Sequence, residues 1–176
     1  MSGKKFADAL KKFDRDQFYT PTEALALVKT MASAKFDESI DIAMFSCTSH
    51  ALREALLAAR ARGLNIRIVF DRFQYRNLGD MAWFVQNGFD VRLGEGKVGP
   101  SGHPGSMHNK FVLFDGKLLE AGSYNWTTNA KFNNFENAQF FDDPSRVAAY
   151  KAYYERIFAL SRQATSDDLR VVPAAG

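Results

Sequence analysis

Apolar positions alternate with polar ones in short runs along the first half of the chain. Residues 39–47, Ser-Ile-Asp-Ile-Ala-Met-Phe-Ser-Cys, read as a strand. A helical pattern follows from Ser49 to Arg62, and Gly63 supplies a left-handed stop. Asn65 to Asp71, Asn-Ile-Arg-Ile-Val-Phe-Asp, is a second strand. Strand, helix and strand with short joins predict a βαβ unit, hence parallel strands covered by helices. The unit repeats more weakly, with a helix from about Leu78 to Gln86, a stop at Asn87-Gly88 and a strand from Phe89 to Leu93. Upstream, Thr20-Pro21-Thr22-Glu23 is a capping box opening a helix to about Ala34, with Leu25, Leu27, Val28 and Met31 on its core stripe.

The texture changes at Gly94. From there to Met107 five glycines alternate with Pro100 and Pro104, which predicts a long irregular loop acting as a mobile rim. Strands from His108 to Phe114 and from Lys117 to Ser123 flank Asp115-Gly116, a dipeptide suited to a tight type I′ turn. Phe135 to Phe141 is a further strand. Asp143-Pro144 opens a last helix to about Leu160, with Tyr150, Tyr153, Tyr154, Ile157 and Phe158 available for burial, and the tail after Ser161 is expected to fray. The expected organisation is one α/β domain over 20–160, a mixed sheet between helical layers, with an extension at 1–19 and a tail at 161–176.

Composition narrows the classes. In 176 residues, 46% hydrophobic and 24% charged positions exclude a disordered chain, a collagen-like repeat or a coiled coil. A net charge of +3 permits an anionic partner. The one cysteine, Cys47, excludes an internal disulfide and a multi-thiolate zinc site. His50 reads as a helix-start residue and His103 as a solvated loop residue, and the three histidines fit no zinc pattern, so no metal is expected. No window reaches the length of a membrane span, and Met1 to Asp16 lacks a signal-peptide core. A soluble, cytoplasmic chain is the expectation, with a trimmed precursor left open.

The hairpin gathers the chemistry. A turn centred on Asp115 and Gly116 places His108 opposite Ser123, and Lys110 shares the His108 face because strands repeat every two residues. Asn125 projects to the same side if the strand continues. Imidazole, ammonium, hydroxyl and amide together suit a phosphate. A Ser-His-Asp triad does not fit: Asp115 lies at the turn, about 23 Å from His108 at strand spacing. It cannot orient that ring. Ser123 also lacks a Gly-x-Ser-x-Gly elbow. Arg53, Arg60 and Arg62 read as a solvated helix face. Arg72, Arg76, Lys97 and Lys131 fall near strand ends or the glycine loop, where they could track a nucleic-acid backbone. Trp126 reads equally as core or as a base-stacking platform.

The run His108-x-Lys110-x4-Asp115-x6-Gly122-Ser123-x-Asn125 resembles the His-Lys-Asp motif of the phospholipase D superfamily. Trp126-Thr127 and Asn134-Phe135-Glu136-Asn137 resemble its single-motif branch of small bacterial endonucleases and mitochondrial or piRNA-pathway members. Together with 39–71, which is similar to that family's N-terminal half, the likeness covers roughly 20–160. It implies an α-β-α sandwich and a phosphodiesterase working through a phosphohistidine without metal or cofactor. In that scheme His108 attacks phosphorus, while Lys110, Ser123 and Asn125 hold the phosphate oxygens. Glu136 hydrogen-bonds the imidazole, and Asp115 and Gly122 complete the motif. A histidine acting as nucleophile cannot also protonate the leaving group. The chain holds one His-x-Lys, so a twofold homodimer with both His108 rings at one composite site is expected. Nucleic acid, cut without sequence preference, is the expected substrate. A phospholipid is the first alternative, with Phe6 to Phe18 as the candidate docking segment. A binding module that no longer turns over is the second.

Overall fold

The computed structural model describes residues 23, 39–77 and 79–169. The helix expected from Thr20 to Ala34 lies outside the described residues, apart from helical Glu23, as do Phe6 to Phe18 and the end of the tail. The described chain runs β1 (Ser39–Met44), α1 (His50–Ala61), β2 (Asn65–Asp71), α2 (Arg72–Asn77), a 3-10 turn (Gly79–Met81), α3 (Ala82–Gln86), β3 (Asp90–Val98) and β4 (Pro104–Ser106). It continues with β5 (Lys110–Phe114), β6 (Leu118–Gly122), α4 (Thr128–Phe132), β7 (Ala138–Phe141), α5 (Pro144–Leu160), β8 (Arg162–Gln163) and a second 3-10 turn (Ser166–Leu169).

These strands form one mixed sheet in the order β4-β3-β2-β1-β5-β6-β7, with β8 added to β3. β1, β2 and β3 are parallel, whereas β5 to β7 form an antiparallel meander joined to β1. Two-residue alternation divides the core. Ile40, Ile42 and Met44 pack with Leu52, Leu56 and Phe84 on one face. Ala43, Phe111, Leu113 and Leu119 pack with Val147, Tyr154 and Phe158 of α5 on the other. The expected helix-sheet-helix layering results. On the α5 face Asp41, 2% exposed, bonds Arg67 at 2.7 Å and Lys151 at 2.5 Å. Arg67 also pairs with Glu155 at 2.7 Å. These partners compensate the buried charge and fasten the helix to the sheet.

Local signals explain the elements that match. Ser49 accepts from Leu52 N at the start of α1, Gly63 takes φ +94° after its end, and Asp143 accepts from Arg146 N ahead of Pro144. Elsewhere the structure departs from expectation. The Gly94–Met107 stretch is not an irregular rim: β3 continues to Val98 and pairs back with β4. Glycine permits this ribbon, because a Cβ on Gly96 would lie 2.8 Å from the Gly105 carbonyl carbon. Arg53 is not solvated. It is buried and pairs with Asp80 at 2.5 Å. Nor does the tail fray at once, since β8 pairs with β3 and Arg162 bridges Asp168. Tyr153 of α5 stays 44% exposed and is not part of the buried face.

The hairpin departs by one residue. Asp115 and Gly116 take φ +53° and +58°, as a type I′ turn demands, and Lys117 N donates to Phe114 O at 2.9 Å. The ladder nevertheless pairs Phe114 with Leu118, leaving Lys117 as an extra residue. His108 and Ser123 are therefore not directly opposed, and both lie beyond the ends of the paired strands.

Glu120 sits on β6 between Val112 and Phe140, and burial pushes its carboxyl from an ordinary 4.5 up to about 8. The folded chain keeps this proton where the unfolded chain has released it. Stability therefore falls as pH rises between those values and levels off above them, at a cost on the order of a few kcal/mol. Glu120→Gln is expected to bring the denaturation midpoints at pH 5 and pH 8 together, as read in chemical-denaturant titrations.

Candidate active site

The parallel strands β1 and β2 end beside the start of β5, where Met44 pairs with Lys110. Phe45 N donates to Asn109 O at 2.9 Å, continuing that pairing one step past the strands. The Phe45 ring meets the His108 ring edge to face, with centroids 4.5 Å apart. Lys110 Nζ lies 3.1 Å from both imidazole nitrogens and donates to His108 O at 2.9 Å. It also sits 4.9 Å from the Phe45 centroid. His108 is exposed, whereas Lys110 is buried. Burial pushes the Lys110 ammonium below the ordinary lysine value, against the attraction of Glu136.

The other wall comes from the segments flanking β7. Asn137 O accepts from Ser123 N at 3.0 Å and Tyr124 N at 3.3 Å. Ser123 Oγ accepts from Asn137 N at 3.1 Å and donates to Glu136 Oε2. Asn134 Nδ2 donates to Glu136 Oε1 at 2.9 Å. The Ser123 hydroxyl and then the Asn134 amide hold the Glu136 carboxyl below the usual carboxylate range, with Lys110 adding to the effect. Lys110 and Glu136 thus couple the two walls electrostatically. The Glu136 oxygens are engaged by Ser123 and Asn134, not by the imidazole the sequence reading assigned to them. Asn125 Oδ1 is buried without a protein partner, an acceptor left over at this end of the sheet.

The remaining candidates divide. Trp126 is 3% exposed, its N donates to Ser46 O, and its carbonyl accepts from Thr48 N and Ser49 N. It belongs to the core and has no free face for a base. Asp115 lies at the far end of β5, where Oδ1 accepts from Ser39 N at 2.9 Å. Arg72 pairs with Glu95, and Lys97 is exposed on the β3–β4 ribbon. Arg76 follows on α2, with its side chain outside the described residues. Lys131 is exposed on α4, 5.0 Å from the Phe132 ring.

Sequence reasoning missed Phe45, hidden at the end of an apolar run. It also missed Phe132 and Phe135, which are 72% and 108% exposed on the segment leading to Glu136. Among the described residues, no three His, Cys, Asp or Glu side chains gather as a metal site would require, and no helix is long and apolar enough to cross a membrane.

An exposed imidazole beside an ammonium, faced by a carboxylate, a hydroxyl and amides, can bind and attack a phosphate ester. Comparison with known proteins adds to this geometry. Residues 27–158 match a family model described as cardiolipin synthase, PLD-like domain. The mitochondrial cardiolipin hydrolase of Chlamydomonas reinhardtii is 30% identical over 80% of this chain and 59% of its own length. That of Homo sapiens is 31% identical over 75% and 49%. The chain thus spans about half the length of these curated relatives. NucT from Helicobacter pylori superposes with a TM-score of 0.71 at 24% identity, covering 84% of this chain and 96% of that one. Nuc from Salmonella typhimurium, described as a phospholipase D family member, gives 0.65 at 24%, covering 81% and 91%.

Proposed function

Since the chain belongs to the phospholipase D-like family of phosphodiester hydrolases, we propose that it cleaves nucleic acid without sequence preference, through a phosphohistidine on His108 and without a metal. The observation that carries the reading is the Lys110 ammonium held 3.1 Å from both nitrogens of an exposed imidazole. An imidazole nitrogen attacks phosphorus, forming a P–N bond as the P–O bond to the leaving oxygen breaks. Lys110 and the Asn125 amide donate to the non-bridging oxygens, where negative charge grows. Ser123 has one hydroxyl proton, and Glu136 accepts it, so Glu136 acts by orienting Ser123. The leaving oxygen needs a proton, and His108 of a second copy across a twofold axis would supply it. Water then attacks phosphorus and gives a proton to the second copy's His108, which had protonated the leaving oxygen, while the P–N bond breaks and the first imidazole is restored. A cytoplasmic setting is the matching proposal for a chain with a single cysteine, Cys47, and therefore no internal disulfide.

Nucleic acid is supported by Phe132, Phe135 and Lys131 on the segment that delivers Glu136, while the net charge of +3 suits any anionic substrate. Exposed rings beside a phosphate site serve base stacking, worth about 1–3 kcal/mol per base. The lipid reading rests on the curated relatives' names, and it would have the same rings enter a bilayer. Purified protein in EDTA is expected to cut single-stranded DNA and RNA while leaving cardiolipin vesicles intact. Phe135→Ala should raise KM for single-stranded DNA about tenfold and leave hydrolysis of bis(p-nitrophenyl) phosphate unchanged. Lipid cleavage without nucleic-acid cleavage would overturn the substrate, and absence of any phosphodiester turnover would leave the binding module.

A further inference from the structure

We propose that Asp71 is a positioning residue that sets the attack geometry of His108, an inference that rests on the proposed phosphodiesterase reading. Asp71 ends β2 and is fully buried. Its Oδ1 accepts from Phe73 N at 3.0 Å and Gln74 N at 2.9 Å, which turns the chain into α2. Its Oδ2 reaches across to accept from Met107 N at 2.8 Å, one residue before His108.

That bond matters because His108 lies outside the ladder, β5 beginning only at Lys110. The residues on either side of it are each tied to a parallel strand's end. Met107 N is held by Asp71 from β2, and Asn109 O is held by Phe45 N, just beyond β1. Met107 is itself buried, and a Cβ on Gly94 would lie 3.0 Å from its Cγ, so its side chain is wedged as well. With both neighbours fixed, the His108 ring is left against Phe45 and under the Lys110 ammonium. An attacking atom displaced by about 1 Å can lose on the order of a hundredfold in rate.

Only a carboxylate serves all these partners, since every one is an N–H donor. An amide can keep its oxygen on the α2 amides, but its own N–H then opposes Met107 N–H. Asp71→Asn therefore breaks the link to the nucleophile's segment while sparing the helix cap. Asp71→Ser does the same by shortness, because its hydroxyl can cap α2 but cannot reach Met107.

The test uses both variants with Asp41→Asn as the reference, which weakens the α5 ion network away from His108. Wild type and variants are assayed on bis(p-nitrophenyl) phosphate, melted, and compared by NMR of the imidazole protons, with the His108 signals assigned from His108→Ala. Asp71→Asn and Asp71→Ser are expected to lower kcat 10- to 100-fold, roughly the cost of a misplaced nucleophile, with KM little changed. The ring-current displacement that Phe45 imposes on the His108 signals should disappear. Asp41→Asn should lower Tm and leave kcat and those signals in place. Folded Asp71 variants that keep kcat and the His108 signals would overturn the proposal, as would losses that track Tm alone in all three proteins. An inactive wild type would sink the phosphodiesterase reading, while the NMR comparison would still judge the link between Asp71 and His108.

Discussion

His108→Ala is expected to abolish phosphodiester turnover, by about 10⁴-fold or more, while binding of single-stranded DNA stays within a few-fold of wild type. Among the described residues the imidazole is the exposed nitrogen nucleophile in contact with Lys110, so its removal deletes the proposed bond-forming atom and leaves the cationic and aromatic surroundings intact. Wild-type enzyme quenched during turnover of labelled substrate should carry acid-labile, base-stable label on the peptide containing His108. The variant should carry none. The twofold scheme adds a sharper requirement. Excess His108→Ala subunits mixed with wild type should suppress its activity, because each mixed dimer would lack either the nucleophile or the acid. Turnover persisting in the pure variant would end the phosphohistidine reading. Undiminished activity in the mixture would end the composite site.

Much of this geometry was readable from local patterns. Alternation placed β1 and β2, Gly63 and Asp143-Pro144 marked helix ends, and Asp115-Gly116 marked the turn. The rest depended on backbone partners that periodicity does not encode. The glycine-rich stretch after Gly94 looked irregular because glycine has low strand propensity, yet Gly96 is what lets two backbones approach closely enough to pair. The hairpin register slipped at Lys117, since the turn dipeptide fixes the turn but not whether the next residue joins the ladder. In the candidate site, His108, Lys110 and Ser123 were singled out by their chemistry, and the structure sets Lys110 beside the His108 ring and Ser123 beside Glu136. Glu136 was singled out as well, but it meets Ser123 and Asn134 where the imidazole was expected, because which oxygen meets which donor is settled by the path of 133–137 and not by spacing. Trp126 illustrates the converse: a ring beside Asn125 in sequence turns inward because its backbone is shared with Ser46 and Ser49.

Gly122→Ala is expected to cost both stability and activity, with kcat falling by about 10²-fold or more as the site loses its shape. A Cβ there would lie 2.1 Å from Asn137 O and 2.8 Å from Asn137 C. Both are backbone atoms, so no rotamer change relieves the clash and β7 must withdraw from β6 at the Gly122–Ala138 pair. Asn137 O is also the acceptor for Ser123 N and Tyr124 N, so the same movement releases the site wall and draws Glu136 away from Ser123 and Lys110. Gly116→Ala is the matched control. Gly116 sits at φ +58° with open space around it, so alanine there meets only backbone strain of about 1–2 kcal/mol at the remote turn. Thermal melts paired with kcat per folded molecule separate the cases: Gly116→Ala should lose Tm alone, and Gly122→Ala should lose both. If Gly122→Ala instead kept its kcat, the close approach of Asn137 would be dispensable, and the Ser123–Glu136 wall could not be what shapes the site around His108.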